Sequence, residues 1–226
     1  MVKGGFHSGL TSRSANSMLL ARDTMIYMTP QSSDISSKSA HWGVIVSPRR
    51  WSFKLEWHRA WCMDADTFSL PFQPDAYFAA LDKLIPYMNT CKFVVVPDTV
   101  GNAVATLWQF RQWAWRIKER GWPVAFVAQD GQEAMPLPPE YDALFIGGTT
   151  DWKMSEHADR LIRQAQRAGK WVHVGRVNSR KRIRHFQLIG VDSVDGTSIA
   201  YAPDKHYKRF DYQLFQRPLE GLCLTS

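Results

Sequence analysis

Cysteine is scarce in this sequence, and its spacing argues against two common uses of the residue. Three cysteines occur among 226 residues, at Cys62, Cys91 and Cys223, and no two of them form a CxxC pair. Structural zinc sites and the disulfide frameworks of small secreted domains need closely spaced or paired cysteines. We therefore predict that the protein holds no metal ion.

Long hydrophobic runs are also missing. No apolar stretch approaches the ~20 residues that a helix needs to cross a membrane. The first five residues, MVKGG, do not begin the apolar segment of a secretory signal. These absences predict a cytoplasmic protein that does not associate with a membrane.

The sequence does contain enough apolar material for one large core. Hydrophobic residues make up 45% and charged residues 22% of the chain, which is an ordinary globular balance. A length of 226 residues fits a single domain, because α/β barrels commonly form one unit of this size. We interpret Trp108, Trp113 and Trp115 as helix packing, and His173, which lies within a predicted strand, as a hydrogen-bonded core residue.

Positive charge predominates and is unevenly distributed. The net charge is +7 and the isoelectric point is about 9.4. Five Arg or Lys residues and no acidic residue lie between Trp171 and Val191. Such a local basic patch favours a polyanionic partner such as nucleic acid, although many basic helices are only solvated surfaces.

Short apolar runs alternate with segments of helical periodicity along most of the chain. We predict a Gly- and Ser-rich arm over residues 1–22 and one domain over residues 23–226. Seven strands are credible from Thr24 onward, an eighth is placed around residues 199–201, and the run at residues 41–46 has no assigned place in the sheet. The alternation is typical of βα units around a parallel sheet. It predicts an α/β fold with a single compact (β/α)8 barrel, and a doubly wound open sheet is the alternative.

Polar residues and glycines at the ends of the predicted strands favour the barrel. These residues are Asp64, Asp98, Gln129, Gly147, Gly175 and Asp195. A barrel gathers the carboxyl ends of all its strands into one ring, whereas an open sheet clusters only those near its switch point. Each position alone is a weak signal, because an Asp that follows a strand often serves only as a helix cap.

Two blocks of the sequence resemble the guanine transglycosylases that exchange a base for a 7-deazaguanine, and above all the DNA-acting branch found in phages and bacterial modification islands. One block covers residues 175–197 and includes GRVNSR and GVDSVDGT, and the other is FIGGTTDWK at residues 145–153. Together with VPD at residues 96–98, their order and spacing extend the similarity from about Trp61 to about Pro203. The resemblance implies replacement of guanine in DNA by a base such as 7-cyano-7-deazaguanine (preQ0), for DNA hypermodification that evades restriction.

The resemblance implies catalytic roles for two aspartates. Asp195 ends its strand where the family has its nucleophile, and Asp64 lies where the family has a general acid/base. A carboxylate can trap an oxocarbenium-like carbon as a covalent ester, and a second carboxyl group must carry the proton of the base. The family motif Asp-Ser-Gly-Ala-Phe reads Asp-Ala-Asp-Thr-Phe here, so the choice between Asp64 and Asp66 stays open.

The resemblance also implies a purine pocket. Asp98 would accept hydrogen bonds from the pairing edge of guanine, because adenine lacks that pair of donors, and Gln129 would contact the guanine carbonyl. The other implied pocket residues are Phe68 as the stacking aromatic, Gly147 and Gly148 as amide donors, and Val174 and Gly175 as the floor.

The basic residues would then contact DNA phosphates. The candidates are Arg176, Arg180, Lys181, Arg182 and Arg184, with Lys205, Lys208 and Arg209 as a second group. Arg180 and Arg184 lie four residues apart and share a helix face, while Lys181 lies about 100° around the helix. The target base must be flipped out of a duplex or presented in a single strand, and a partner protein could open the duplex.

One departure from the wider family bears on the substrate. The tRNA-acting members carry a C-terminal zinc site of three Cys and one His, whereas this sequence has only Cys223 in that region. We therefore predict no zinc-binding extension, no cofactor and DNA rather than tRNA as the substrate, in the host cytoplasm if a phage encodes the protein. Three alternatives stay open: an RNA-acting transglycosylase, a non-catalytic nucleic-acid-binding barrel subunit, and a barrel enzyme acting on a phosphorylated small molecule.

Overall fold

The computed structural model describes residues 25–30, 42–51, 60–68 and 70–196, and within them eight parallel strands close into a barrel. The strands are β1 (Ile26–Pro30), β2 (Trp42–Val46), β3 (Trp61–Met63), β4 (Cys91–Val95), β5 (Val124–Ala128), β6 (Ala143–Ile146), β7 (Trp171–Val174) and β8 (Ser193–Asp195). Their order around the barrel follows their order in the sequence. The predicted (β/α)8 barrel is confirmed, and the open-sheet alternative is wrong.

Closure of the barrel is made by β8 and β1. Ile26 lies opposite Ser193, and Met28 lies opposite Asp195. The run at residues 41–46, which the sequence left without a place, provides β2 between β1 and β3. The barrel thus has all eight strands before residues 199–201, and this segment, nominated above as a strand, lies outside the described residues, as does the predicted arm.

Helices follow the strands and anchor the loops at the carboxyl end of the barrel. They are α1 (Pro74–Leu84), α2 (Ala103–Lys118), α3 (Thr150–Lys153), α4 (Glu156–Arg167) and α5 (Arg180–Ile189), with 3-10 turns at Ile85–Thr90 and Gln132–Ala134. The side chains of Asn102, Thr149, Ser155 and Ser179 accept backbone N–H groups and so define where four of them begin. None of the helices that the structure describes is long and apolar enough to span a membrane.

The strands are apolar on both faces because the barrel interior and the surrounding helices both exclude water. Every residue of β5, VAFVA, is buried. The interpretation of the tryptophans in α2 is wrong in part: Trp108 is 69% and Trp115 is 55% exposed. The buried face of α2 consists of other residues, among them Phe110 and Ile117.

Gly43 in β2 provides a test of the packing inside the barrel. A Cβ atom at this position would collide with the sulfur of Met28 and would lie 2.9 Å from the carbonyl oxygen of Ala60. The carbonyl belongs to the barrel backbone and cannot turn away, so we expect Gly43→Ala to lower the free energy of unfolding by about 1–3 kcal/mol. Urea denaturation measures this loss.

Gly169→Ala is the control for that experiment. An added Cβ atom there meets nothing within 4 Å, and only its φ of 69° opposes the substitution. A loss in Gly43→Ala below the roughly 1 kcal/mol that left-handed strain costs in Gly169→Ala would contradict the tight approach of the strands at Gly43.

Candidate active site

Three aspartates lie at the carboxyl end of the barrel. Asp64 follows β3, Asp98 follows β4, and Asp195 is the last residue of β8. Burial is the main cause of a raised pKa at Asp64, and the negative charges of Asp195 and Asp98 add to the increase. Three residues that are far apart in the sequence therefore share one electrostatic environment.

The surroundings of Asp64 and Asp66 differ. Asp66 has a left-handed backbone with φ of 62°, and its carboxylate oxygen lies 2.9 Å from Nε of Arg49. Its backbone N–H donates to Asp64 over 3.1 Å. Burial raises the pKa of Asp64 to about 7, although this hydrogen bond lowers it. A carboxyl group that titrates near neutrality can both give and take a proton, so the geometry favours Asp64 over the ion-paired Asp66 as the acid/base.

Asp98 and Gln129 form a connected polar pair beside these acids. Nε2 of Gln129 donates to Oδ2 of Asp98 over 2.6 Å, and the Thr67 hydroxyl donates to Oδ1. Burial raises the pKa of Asp98, whereas the hydrogen bonds from Thr67 and Gln129 lower it. The pair therefore presents a carboxyl group whose orientation is fixed from two sides.

Gly147 and Gly148 have a different role from the one predicted for them. The amide of Gly147 donates to the carbonyl of Ala128 over 2.9 Å, and that of Gly148 donates to Oε1 of Gln129, also over 2.9 Å. In this arrangement neither amide is offered to a ligand. The glycines instead allow close packing, because a Cβ atom at Gly147 would lie 2.9 Å from Nε2 of Gln129 and one at Gly148 would lie 2.6 Å from Asp130.

Both carboxylate oxygens of Asp195 have partners. Nε2 of the fully buried His173 lies 2.9 Å from Oδ2, and the backbone N–H of Arg176 donates to Oδ1 over 2.9 Å. The side chain of Asp195 is 15% exposed. It is therefore fixed within the barrel mouth while it keeps some access to a ligand. The interpretation of His173 as a hydrogen-bonded core residue is confirmed.

Arg176 connects the nucleophile candidate with the rim of the pocket. Its φ of 59° places the backbone in the left-handed region, with its N–H directed at Asp195. Its guanidinium donates to the carbonyl of Gly148 over 2.7 Å and lies 5.3 Å from the ring centre of Phe68. Phe68 is 69% exposed, so this predicted stacking residue lies at the mouth with Arg176 beside it.

The predicted floor residues Val174 and Gly175 are buried next to Asp195. A Cβ atom at Gly175 would lie 2.7 Å from the ring of Phe145 and 3.4 Å from Oδ2 of Asp195. The carbonyl of Gly175 accepts a hydrogen bond of 2.7 Å from Nζ of Lys153. Lys153 was not among the predicted site residues, because nothing in the sequence pattern marks the last residue of a four-residue helix as buried.

A basic cleft of about 500 Å³ lies beside Gly148. It is lined by Val100, Gly101, Gly148, Thr149, Thr150, Arg176, Asn178 and Arg182. Arg182 donates to the carbonyl of Arg176 over 3.0 Å, so these two predicted phosphate contacts are linked to each other.

The other predicted phosphate contacts do not line this cleft. Arg180, Lys181 and Arg184 are exposed on α5, and within the described ranges no acidic side chain pairs with them. Lys205, Lys208 and Arg209 lie outside the described residues.

The side chains that the structure describes include no group of three or more His, Cys, Asp or Glu that could hold a metal ion. Cys62 is buried and Cys91 is half-buried, and both are free thiols. Cys223 lies outside the described residues.

Comparisons with known proteins add similarities of fold. No family model and no curated protein matches the chain. Among solved structures, the EAL domain of Xanthomonas citri FimX in complex with c-diGMP is 17% identical with a TM-score of 0.43, over 70% of this chain and 58% of that one. The chain thus spans less than two thirds of the FimX structure.

Two further solved structures are covered almost completely. An HpcH/HpaI aldolase from Desulfitobacterium hafniense is 10% identical with a TM-score of 0.44, over 87% of this chain and 96% of that one. A citrate synthase variant, SbnG, is 12% identical with a TM-score of 0.47, over 88% of this chain and 96% of that one. At such identities a likeness does not extend to function.

The raised pKa of Asp64 predicts a pH-dependent effect of Asp64→Asn on stability. The folded-state value of about 7 exceeds the ordinary value of 3.8, so the folded protein binds the proton more tightly and loses stability as the pH rises from about 4 to 7. Asp64→Asn has no carboxyl group at this position and therefore does not lose stability over this pH range. Because the carboxyl group is partly open to solvent, we expect a relative gain of about 2 kcal/mol at pH 8 and none at pH 4.

Thermal or urea unfolding of both proteins at several pH values measures this difference. Asp66→Asn is the matched control, because its carboxylate pairs with Arg49, and it should show no gain at high pH. A constant difference between Asp64→Asn and the parent protein across this range would contradict the buried-acid assignment.

Proposed function

We propose that the protein is an enzyme, a transglycosylase that exchanges guanine in DNA for a 7-deazaguanine base. The observation that carries the proposal is the convergence of Asp64, Asp98 and Asp195 at one barrel mouth, each with different partners. Their surroundings suit three different tasks: proton transfer, base recognition and nucleophilic attack. The resemblance of the two sequence blocks to guanine transglycosylases supports the same assignment.

The first half of the reaction removes guanine from the sugar. A carboxylate oxygen of Asp195 attacks the anomeric carbon, the glycosidic bond to the base nitrogen breaks, and its electron pair passes to the departing base. Protonated Asp64 gives its proton to the base. A covalent aspartyl–sugar ester holds the DNA while the guanine leaves, so the phosphate backbone stays intact.

The second half reverses these steps with the incoming base. Ionised Asp64 takes the proton from the ring nitrogen of the 7-deazaguanine, and that nitrogen attacks the anomeric carbon. The ester bond breaks and its electron pair returns to the carboxylate of Asp195. Two inversions restore the original configuration, and a single acid/base with a pKa of about 7 serves both directions near neutral pH.

Base recognition is assigned to Asp98. Its two oxygens accept from Thr67 and Gln129, and each oxygen keeps a further lone pair. An ionised carboxylate in this orientation suits the N–H and amino groups of the guanine pairing edge. The ring of Phe68 at the mouth is exposed and therefore suits stacking on the base. Arg176 borders one face of this ring.

The positive charge supports a nucleic-acid substrate, and the resemblance to the DNA-acting branch supports DNA rather than RNA. A base inside a duplex cannot reach a pocket at the barrel mouth and must be extruded or supplied in a single strand. Arg176 and Arg182 line the cleft next to the pocket, and Arg180, Lys181 and Arg184 extend the positive surface along α5. In this proposal these cations contact the phosphates on either side of an extruded nucleotide.

Incubation with DNA and labelled 7-cyano-7-deazaguanine tests the activity. We expect label to enter DNA with release of one guanine for each base incorporated. Asp195→Ala should abolish exchange, because no covalent ester can form. Asp64→Asn should slow it by at least about 100-fold through loss of the proton carrier. Denaturing electrophoresis should trap a protein–DNA adduct with the parent protein and none with Asp195→Ala.

Three results would contradict the proposal. Label in tRNA but not in DNA would change the substrate to RNA. Exchange that survives in Asp195→Ala would remove the nucleophile. DNA binding by the parent protein without exchange of any deazaguanine would favour a non-catalytic binding subunit.

The salt dependence of DNA binding tests the role of α5. Replacing Arg180, Lys181 and Arg184 by Ala should make the negative slope of log affinity against log salt for single-stranded DNA less steep by about 1.4 or more, since Arg180 and Arg184 share a helix face and each lost phosphate contact contributes about 0.7. Fluorescence anisotropy measures the slope. The matched control replaces Arg160, Arg163 and Arg167 on α4, which removes the same charge; an equal decrease in both would show that net charge and not position matters.

A further inference from the structure

A line of hydrogen bonds leads from Trp171, the first residue of β7, to Asp195. Nε1 of Trp171 donates to Oγ of Ser193 over 2.9 Å, and Oγ of Ser193 lies 2.8 Å from Nδ1 of His173. Nε2 of His173 lies 2.9 Å from Oδ2 of Asp195. Ser193 and His173 are completely buried, so water does not compete for these contacts.

The donors in this line determine where the proton of His173 lies. An ionised Asp195 can only accept, so Nε2 of His173 must carry a hydrogen. In the neutral ring Nδ1 then accepts from the hydroxyl of Ser193, which itself accepts from Trp171. The opposite tautomer would place a ring lone pair against the carboxylate. The Nε2–H group of His173 therefore donates to Oδ2 of Asp195.

A second line reaches the other carboxylate oxygen through a peptide bond. Nζ of Lys153 donates to the carbonyl of Gly175 over 2.7 Å, and the N–H of the same peptide unit, that of Arg176, donates to Oδ1 of Asp195 over 2.9 Å. A cation on the carbonyl oxygen polarises the amide and strengthens the hydrogen bond that its N–H makes. Lys153 is 2% exposed, so its charge acts at short range with little screening.

We propose that His173 and Lys153 are positioning residues that hold the carboxylate of Asp195, one through each oxygen. The inference rests on the proposed function, in which Asp195 is the nucleophile. The two lines fix the orientation of the Asp195 carboxylate, and their hydrogen bonds make it a better leaving group when the ester breaks. Neither residue touches the substrate.

The charged surroundings of Asp195 explain why such support is needed. Asp195 interacts with Asp64 after β3, His173 on β7 and Lys153 at the end of α3. The neutral thiol of Cys62 on β3 and the backbone N–H of Arg176 also lie beside it. Burial and the charge of Arg176 lower the pKa of Lys153 to about 8, and the charge of Asp195 opposes this decrease. Lys153 thus remains a cation at neutral pH, where the nucleophile must be an anion.

An NMR experiment tests the contact without any substrate. The protein with ¹⁵N-labelled histidine contains seven histidines, and comparison with His173→Gln assigns the signal of His173. We expect Nε2 of His173 to carry a proton. The ¹⁵N chemical shift of this nitrogen should change strongly in Asp195→Asn. A proton on Nδ1 alone, or a signal that ignores Asp195→Asn, would overturn the assignment of His173.

The rate of adduct formation tests the role. Loss of either line removes support from a carboxylate oxygen of Asp195, so the rate should fall by about 10-fold in His173→Leu, in Ser193→Ala and in Lys153→Met. His173→Gln retains an N–H donor and should recover most of the rate. His185→Leu is the matched control, because His185 contacts Asp159 at 3.3 Å outside the site, and its rate should not change.

The outcomes separate this inference from the proposed function. An unchanged rate of adduct formation in folded His173→Leu, Ser193→Ala and Lys153→Met would overturn the positioning role while the transglycosylase proposal stands. Should the parent protein form no Asp195-dependent adduct, the proposed function fails, and the positioning role, which depends on it, fails with it. The NMR spectra would still decide whether His173 donates to Asp195.

Discussion

Closure of the barrel between β8 and β1 is the constraint on which the site depends. In this closed parallel sheet each strand is hydrogen bonded to two neighbours, so the register of β8 is fixed from both sides. Asp195 lies opposite Met28 on β1, and its partner His173 lies opposite Ser193, two residues before it. The pairing of β8 with its two neighbours therefore determines the backbone position of Asp195, the nucleophile candidate.

Desolvation then divides the work among the acids. Three carboxyl groups beside one another in a partly buried mouth cannot all ionise freely. Asp64 receives one backbone hydrogen bond and its pKa rises to about 7, whereas Asp195 and Asp98 each receive a hydrogen bond on both oxygens. The three acids therefore differ in how many hydrogen bonds their carboxyl oxygens receive.

The glycines of the site also follow from its packing. Gly147, Gly148 and Gly175 lie where a side chain would collide with Gln129, Asp130 or Phe145. These glycines allow neighbouring strand ends to approach closely. Gln129 can then form hydrogen bonds with Gly101, Gly148 and Asp98. The polar groups at these strand ends therefore satisfy one another.

The sequence by itself determined the architecture and the positions of the acids. Alternation of short apolar runs with helical segments predicted the (β/α)8 barrel, and the polar residues at the strand ends predicted which side chains would meet, because strand direction alone places them on one face. Local patterns could not assign β2 a place, nor show that Trp108 and Trp115 are exposed, since burial depends on what packs against a helix.

Only the tertiary structure decided the pairings within the site. The choice of Asp64 over Asp66 depends on Arg49, and the roles of His173 and Lys153 depend on atoms brought together from β7, β8 and α3. A hydrogen bond needs its two atoms within about 3 Å. Order along the chain fixes which strands are neighbours, but register and side-chain rotamers decide which atoms reach that distance.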